Sequence, residues 1–317
     1  MRDSLKQSLF SVADDIERHP RFEQAIRLHY EALLNPYAKR PFFYKNALQF
    51  NRMLVSFSLL SHYFDNPEPL LSQVKEFCVA RKLFSPNSLE SFFLVLKASG
   101  FIELRPHLTD ARLRVFKLSS KACKEVRMML ASMIDPLTEM GADRESMRQL
   151  SMLDDNGYLA VYFKGMSQIL KQDLSMDHLL PECHWLVKRE GGHLLMLAIY
   201  LDACVDADKA SGFKSSSYLA LASSLSVSKM HIIRLVKEGV EKDFFKVHDN
   251  SELEVLPAFV SVVRRFMSLS FAMALQCTSL NRINKPIGIT FSGEEDAQGS
   301  QAQAQDKAVT CSCGITG

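Results

Sequence analysis

The stretch Ser226 to Gly239, SVSKMHIIRLVKEG, carries Lys229, Arg234 and Lys237 among regularly spaced apolar residues. At helical spacing, Val227, Ile232, Leu235 and Val236 share one side and leave Lys229, Met230, His231, Arg234 and Lys237 on the other. Cations so placed suit a polyanion. The guanidinium of Arg234 can meet two acceptors on a guanine edge, and the ammonium of Lys229, near the helix start, suits a phosphate. A merely solvated helix face has the same composition, so the surroundings must decide.

A second set lies earlier in the chain. SPNSLESFFLVLKASG, Ser85 to Gly100, sets Leu89, Phe92, Phe93 and Leu96 on one stripe and leaves Asn87, Ser88 and Ser91 exposed, hydrogen-bonding side chains of modest reach. Beyond it Arg105, His107, Arg112 and Arg114 surround a polar loop suited to phosphates or a minor groove.

The elements that must hold these residues follow one order twice. Leu70 to Lys82 reads as a helix, Leu83 and Phe84 as a turn, and Ser85 as the N-cap of a helix with Pro86 at its first position and Gly100 as its left-handed end. FIELR (Phe101 to Arg105) and RVFKL (Arg114 to Leu118) alternate as strands of a hairpin, and a helix starts behind a serine at SSKACKEVRMM. In the second half Ser216 to Leu225 is the first helix, Ser228 caps the second and Gly239 ends it. DFFKVH and ELEVL flank a tight turn, and Pro257 opens another helix. Laying Gly100 on Gly239, an offset of 139, brings Phe93 onto Ile232 and Leu96 onto Leu235. The order helix, turn, helix, hairpin, helix is thus an internal repeat.

ASSLSVSKMHIIRLVKEG resembles the helix-turn-helix of bacterial transcription regulators, and each half with its hairpin is similar to the winged helix of MarR-like regulators. The first half matches less closely, with Glu90 on its second helix. The resemblance implies a fold that is mainly α, with two winged helix-turn-helix units, small β-hairpin wings included, in one chain and joined by a helical core as a pseudo-dimer. It implies double-stranded DNA as partner, half-sites about 34 Å apart, and a sequence-specific regulator without catalysis. Some plasmid replication initiators share two winged helices in one chain. A winged fold can also serve as a protein-docking module, which Glu90 and Glu103 would suit in the first half.

The rest of the chain agrees with that expectation. The net charge is only +2, but residues 70–127 carry 11 cations against 5 acids and residues 209–265 carry 9 against 6, so two basic islands stand in an otherwise acidic protein. Asp177, His178, Cys183 and His184 are close in sequence, yet Pro181 breaks a helix that could gather them and no zinc spacing is met, so no metal and no cofactor is expected. GxxxxGK[ST], GxGxxG after a strand, GxSxG and HExxH are all missing, which leaves an enzyme unsupported. The seven cysteines form no CxxC pair and most sit within apolar helical patterns, as reduced thiols do. The longest apolar run, Leu194 to Leu201, falls short of the roughly 18 residues of a membrane span. A cytoplasmic protein without membrane contact is expected, a monomer (pseudo-dimer) or homodimer, with a small-molecule effector of unnamed chemistry conceivable between core and units.

The expected division is an N-terminal helical region over 1–50 with a break from Pro36 to Pro41, the first unit over 51–135, a helical connector over 136–190 and the second unit over 191–270. A helix end over 271–290 and a disordered tail over 291–317 complete it. Leu194 to Val205 would lead into the second unit as Gln49 to Phe64 leads into the first.

Overall fold

The computed structural model describes residues 2–142, 144–203, 212–213, 216–249 and 252–278. Helices α1 (Arg2–Arg18), α2 (Phe22–Lys39) and α3 (Pro41–Ala47) lead to α4 (Phe50–Asp65). The first half continues with α5 (Leu71–Ala80), α6 (Pro86–Ala98), β1 (Ile102–Pro106), β2 (Arg114–Leu118) and α7 (Ser120–Glu139). The connector is α8 (Arg144–Ser151), α9 (Asp155–Lys171), α10 (Met176–Leu179), a 3-10 turn at Pro181–Cys183 and α11 (His184–Val187). Then follow α12 (Gly192–Asp202), β3 (Gly212–Phe213), α13 (Tyr218–Ser224), α14 (Lys229–Glu241), β4 (Phe245–Val247), β5 (Leu253–Val255) and α15 (Pro257–Thr278). The protein is mainly helical with few, short antiparallel strands.

The two halves match in hydrogen bonding, but at a different register from the one the glycines suggest. Gly239 does not end its helix, because α14 runs on to Glu241. The left-handed residue that ends the turn is Asp243 (φ 57), the counterpart of Gly100 (φ 71) at an offset of 143. The N-caps Ser85 and Ser228 obey the same offset, each hydroxyl accepting from the backbone N–H three residues on. Phe101 N–H donates to Leu96 O at 2.9 Å and Phe244 N–H to Gly239 O at 2.8 Å. At the far end of each hairpin Ser119 N–H reaches Phe101 O and Leu256 N–H reaches Phe244 O, both at 3.0 Å. Gly239 is needed for space instead: a Cβ there would lie 2.2 Å from the Phe245 ring.

Each hairpin also gains a third segment that periodicity did not reveal. β3 pairs with β5 in the order β3-β5-β4. In the first half Leu70 bridges Val115, and Phe116 N–H donates to Pro69 O at 3.1 Å, on the corresponding strand of the hairpin. Short segments before α5 and α13 thereby tie each pair of helices to its hairpin.

The core lies between the halves. The trailing helices α7 and α15 pack on each other, α9 packs on both, α2 lies on α7 and α12, and α1 lies along α15. α15 explains the arrangement: it is apolar around most of its circumference, with Phe259, Val263, Met267, Phe271 and Ala274 all buried, which suits a central position. Its mean hydropathy and 22-residue length meet the criterion for a membrane span, unlike the short apolar runs noted in the sequence. Here it is enclosed, and Arg264 and Arg265 near its middle form ion pairs with Glu17, Glu23 and Asp14.

α9 and α15 meet backbone to backbone at Gly165, where a Cβ would stand 2.6 Å from Cys277 Cα. Gly165→Ala is expected to lower unfolding stability by about 3 kcal/mol, since backbone must shift, despite the higher helix propensity of alanine. Urea denaturation of the variant measures it, and a change under ~1 kcal/mol would contradict this packing.

The expected break from Pro36 to Pro41 reduces to one residue, Arg40. Pro36 lies inside the last turn of α2, and Pro41 starts α3, where a missing N–H costs nothing. Pro181 does interrupt the connector, as its sequence suggests. Cys78, Cys123, Cys183 and Cys277 are free and buried. Cys204, Cys311, Cys313 and the tail over 291–317 lie outside the described residues.

Candidate nucleic-acid interface

α13 and α14 meet at 116°, within the range of helix pairs that present their second member to a groove. The turn between them is held from several directions. Ser226 takes a left-handed conformation (φ 50), and Val227 N–H returns to Ala222 O at 3.0 Å. From α2 the buried Tyr37 hydroxyl donates to Leu225 O at 2.6 Å, and from α3 Lys45 donates to Ser226 O at 3.3 Å. Tyr37→Phe leaves that buried carbonyl without its partner and is expected to cost about 1–3 kcal/mol in thermal or urea unfolding. An unchanged midpoint would show that the turn does not depend on α2.

Ile232, Leu235 and Val236 are buried, each contributing roughly 1.5–3 kcal/mol of apolar burial that fixes the roll of α14 about its axis. That roll leaves Lys229, Met230, Arg234 and Lys237 exposed. Among the described residues none of these three cations has an ion-pair partner.

His231 departs from the outward set. It is half-buried beside the 189–190 segment, and burial first, then the charge of Arg189, lowers its pKa below the usual histidine value. Arg189 forms an ion pair with Glu238 on the same flank of α14, and Lys45 joins Glu190 at 3.0 Å. Residues remote in sequence thus cover the flank on which His231 stands, and no local pattern signals them.

The first half is built alike but decorated differently. At the 143-residue offset Asn87, Ser88, Ser91 and Leu94 of α6 correspond to Met230, His231, Arg234 and Lys237. Asn87 is exposed, but the Ser91 hydroxyl donates to Asn87 O at 3.0 Å within its own helix, and Leu94, 60% exposed, stands where α14 has a cation. Ser88 and Ser91 border a cavity between α6 and the α3–α4 region. The flank that Arg189 and its neighbours cover on α14 is left open on α6. Asn87, Ser88 and Ser91 are thus exposed as expected, with Ser88 and Ser91 at the edge of that cavity, and Glu90, paired with Lys75, also faces solvent.

The hairpin keeps its cations at the surface. Arg105 is 4.0 Å and His107 3.2 Å from Glu68, while Arg112 binds Asp110 through Nε and Nη2, both at 3.1 Å. Arg114 points into the same loop, donating to Ala111 O at 3.4 Å. Two carboxylates thus partly neutralise a four-residue basic cluster and set its side-chain directions.

No family model, curated protein or solved structure matches this chain. Geometry is what bears on its chemistry. The described residues contain no group of three or more His, Cys, Asp or Glu side chains able to hold a metal ion. Around Pro181, the Cys183 thiol is buried and pushed up to about 12, chiefly by desolvation, while His178 Nδ1 lies 3.1 Å from Asp173 O. On α14 three exposed cations share one face without ion-pair partners among the described residues, and on the β1–β2 hairpin Arg105, His107, Arg112 and Arg114 gather around one loop beside Glu68 and Asp110.

Proposed function

We propose that the protein is a sequence-specific, double-stranded DNA-binding transcription regulator of the cytoplasm, acting without catalysis. In this reading its two halves are winged helix-turn-helix units with the hairpins as wings. α14 enters the major groove, Arg234 reads a base edge, and Lys229 and Lys237 contact flanking phosphates. The first half contributes through its wing, with Arg105, Arg112 and Arg114 on phosphates, more than through α6. The observation that carries the reading is the exposed face of α14, whose three cations have no ion-pair partner among the described residues and whose roll is fixed by a buried apolar back.

A binding selection from genomic fragments at moderate salt, repeated with Arg234→Ala and Lys229→Ala, tests it. One enriched sequence is expected, relaxed at a defined base by Arg234→Ala and weakened without loss of preference by Lys229→Ala. No enrichment, with equal weak binding by all three proteins, would redirect the search to a protein partner for the exposed Leu94 face of α6. Repeated sites clustered in a replication origin, rather than a promoter operator, would make it a replication initiator.

A further inference from the structure

The cavity beside α6 has a volume of about 790 Å³, the size of site that encloses a substantial organic molecule. Exposed Phe42 (83%) stands at its rim with Val95, and the enclosed pair His29 and His193 forms its floor. Six of the protein's 14 methionines line it: Met53, Met129, Met133, Met166, Met176 and Met273. Unbranched, polarizable side chains in that number make walls that adapt to a flexible ligand better than to one rigid shape.

The floor is polar in one defined direction. His29 Nδ1 lies 2.9 Å from Ser132 O, a carbonyl that can only accept, so His29 carries its proton on Nδ1. Its Nε2 is then an acceptor, and the His193 Nε2–H at 2.9 Å donates to it. That relay leaves His193 Nδ1 as an acceptor, without a partner among the described residues, on a ring that keeps some accessible surface. Both rings stay neutral, because burial holds their pKa values near 4 and 3. The floor thus asks for one hydrogen-bond donor at the end of an apolar molecule.

We infer that the cavity between α4, α6 and the α2–α12 floor binds a flexible aliphatic chain ending in a hydroxyl or protonated carboxyl group, whose O–H donates to His193 Nδ1. The site is independent of the DNA reading and stands or falls without it. A rigid polycyclic molecule would leave the adaptable walls unused, and an ionised head would bring a charge to the neutral, desolvated histidine pair, the charged residues of the lining, Arg52 and Glu125, being engaged with Asn46 and with Arg40 and Tyr44.

Titration calorimetry with dodecan-1-ol and with dodecyl methyl ether, which lacks the donor, tests the assignment on the full chain. Saturable binding of the alcohol is expected, with the ether about tenfold weaker from the unpaired acceptor. His193→Phe is expected to bind alcohol and ether equally. Should that variant not fold, Met133→Trp, which fills the cavity from its wall, is expected to abolish binding of both. Equal affinities of the wild type for alcohol and ether, no saturable binding of either, or undiminished binding by Met133→Trp would each overturn the proposal.

Discussion

Replacing Lys229, Arg234 and Lys237 together by alanine is expected to lower affinity for the selected duplex by roughly two to four orders of magnitude, at ~1–3 kcal/mol for the base contact and less for each phosphate. Stability should change little, because all three side chains are exposed and none of them has an ion-pair partner among the described residues. Fluorescence anisotropy across a salt series separates the contributions. The slope of log affinity against log salt should shallow by about 0.9 for each phosphate no longer neutralised, whereas Arg234→Ala alone should weaken the cognate duplex more than a scrambled one. Cognate and scrambled duplexes weakened equally by every variant would remove base reading from α14. Replacing Arg105, Arg112 and Arg114 instead should lower both affinities in parallel, as befits side chains that bind the DNA backbone.

Acid is expected to cost the fold several kcal/mol between pH 6.5 and about 4. Burial, foremost, depresses His29 to about 4 and His193 to about 3, with the neighbouring His29 lowering His193 further. Below pH 6.5 the unfolded chain binds a proton at each ring while the folded chain does not, so the unfolded state gains with every step down in pH. The stabilisation is complete above pH 6.5, falls by up to about 1.4 kcal/mol per pH unit for each ring, and levels off once the folded rings titrate. Urea denaturation at pH 7, 6, 5 and 4.5 checks this against His193→Phe. The variant should lose stability with a shallower slope, and parallel slopes would place the acid sensitivity elsewhere. Among the described residues the rings' surroundings add no opposing charge: His29 faces Ser132 O, Phe271 and His193, and His193 faces Phe266.

Much of the fold is legible in local pattern. Ser85, Ser119 and Ser228 cap the helices expected to start there, and periodicity finds the buried Ile232, Leu235 and Val236 of α14 and Leu89 and Phe93 of α6, while Phe92, Leu96 and Val227 of the expected stripes are only half-buried. The repeat is legible too, although the glycines set its register off by four residues. Four residues are about one helical turn, so the shifted alignment still lays stripe on stripe and periodicity cannot expose the error. Glycine at 239 points to a helix end because glycine so often serves there, but here its missing Cβ makes room for Phe245 and an aspartate takes the left-handed position. Whatever depends on distant segments stays hidden. The inward turn of His231 needs Arg189 and Glu190, the cavity needs α6 held away from α3 and α4, and the histidine relay joins α2, α7 and α12. Two-residue β3 and the bridge at Leu70 are too short to carry any periodic signal.

The packing of α7 on α15 joins two halves that belong to one chain. Where separate subunits must find each other, such an interface weakens on dilution, and partners can be exchanged for damaged or foreign copies. A tether makes the encounter intramolecular, with a local concentration set by the connector and not by the cell. The melting temperature of this interface should therefore be the same at nanomolar and micromolar protein. A defective half, moreover, would spoil only the molecule that carries it, and a cell holding both intact and mutant alleles would contain no mixed pairs across this seam.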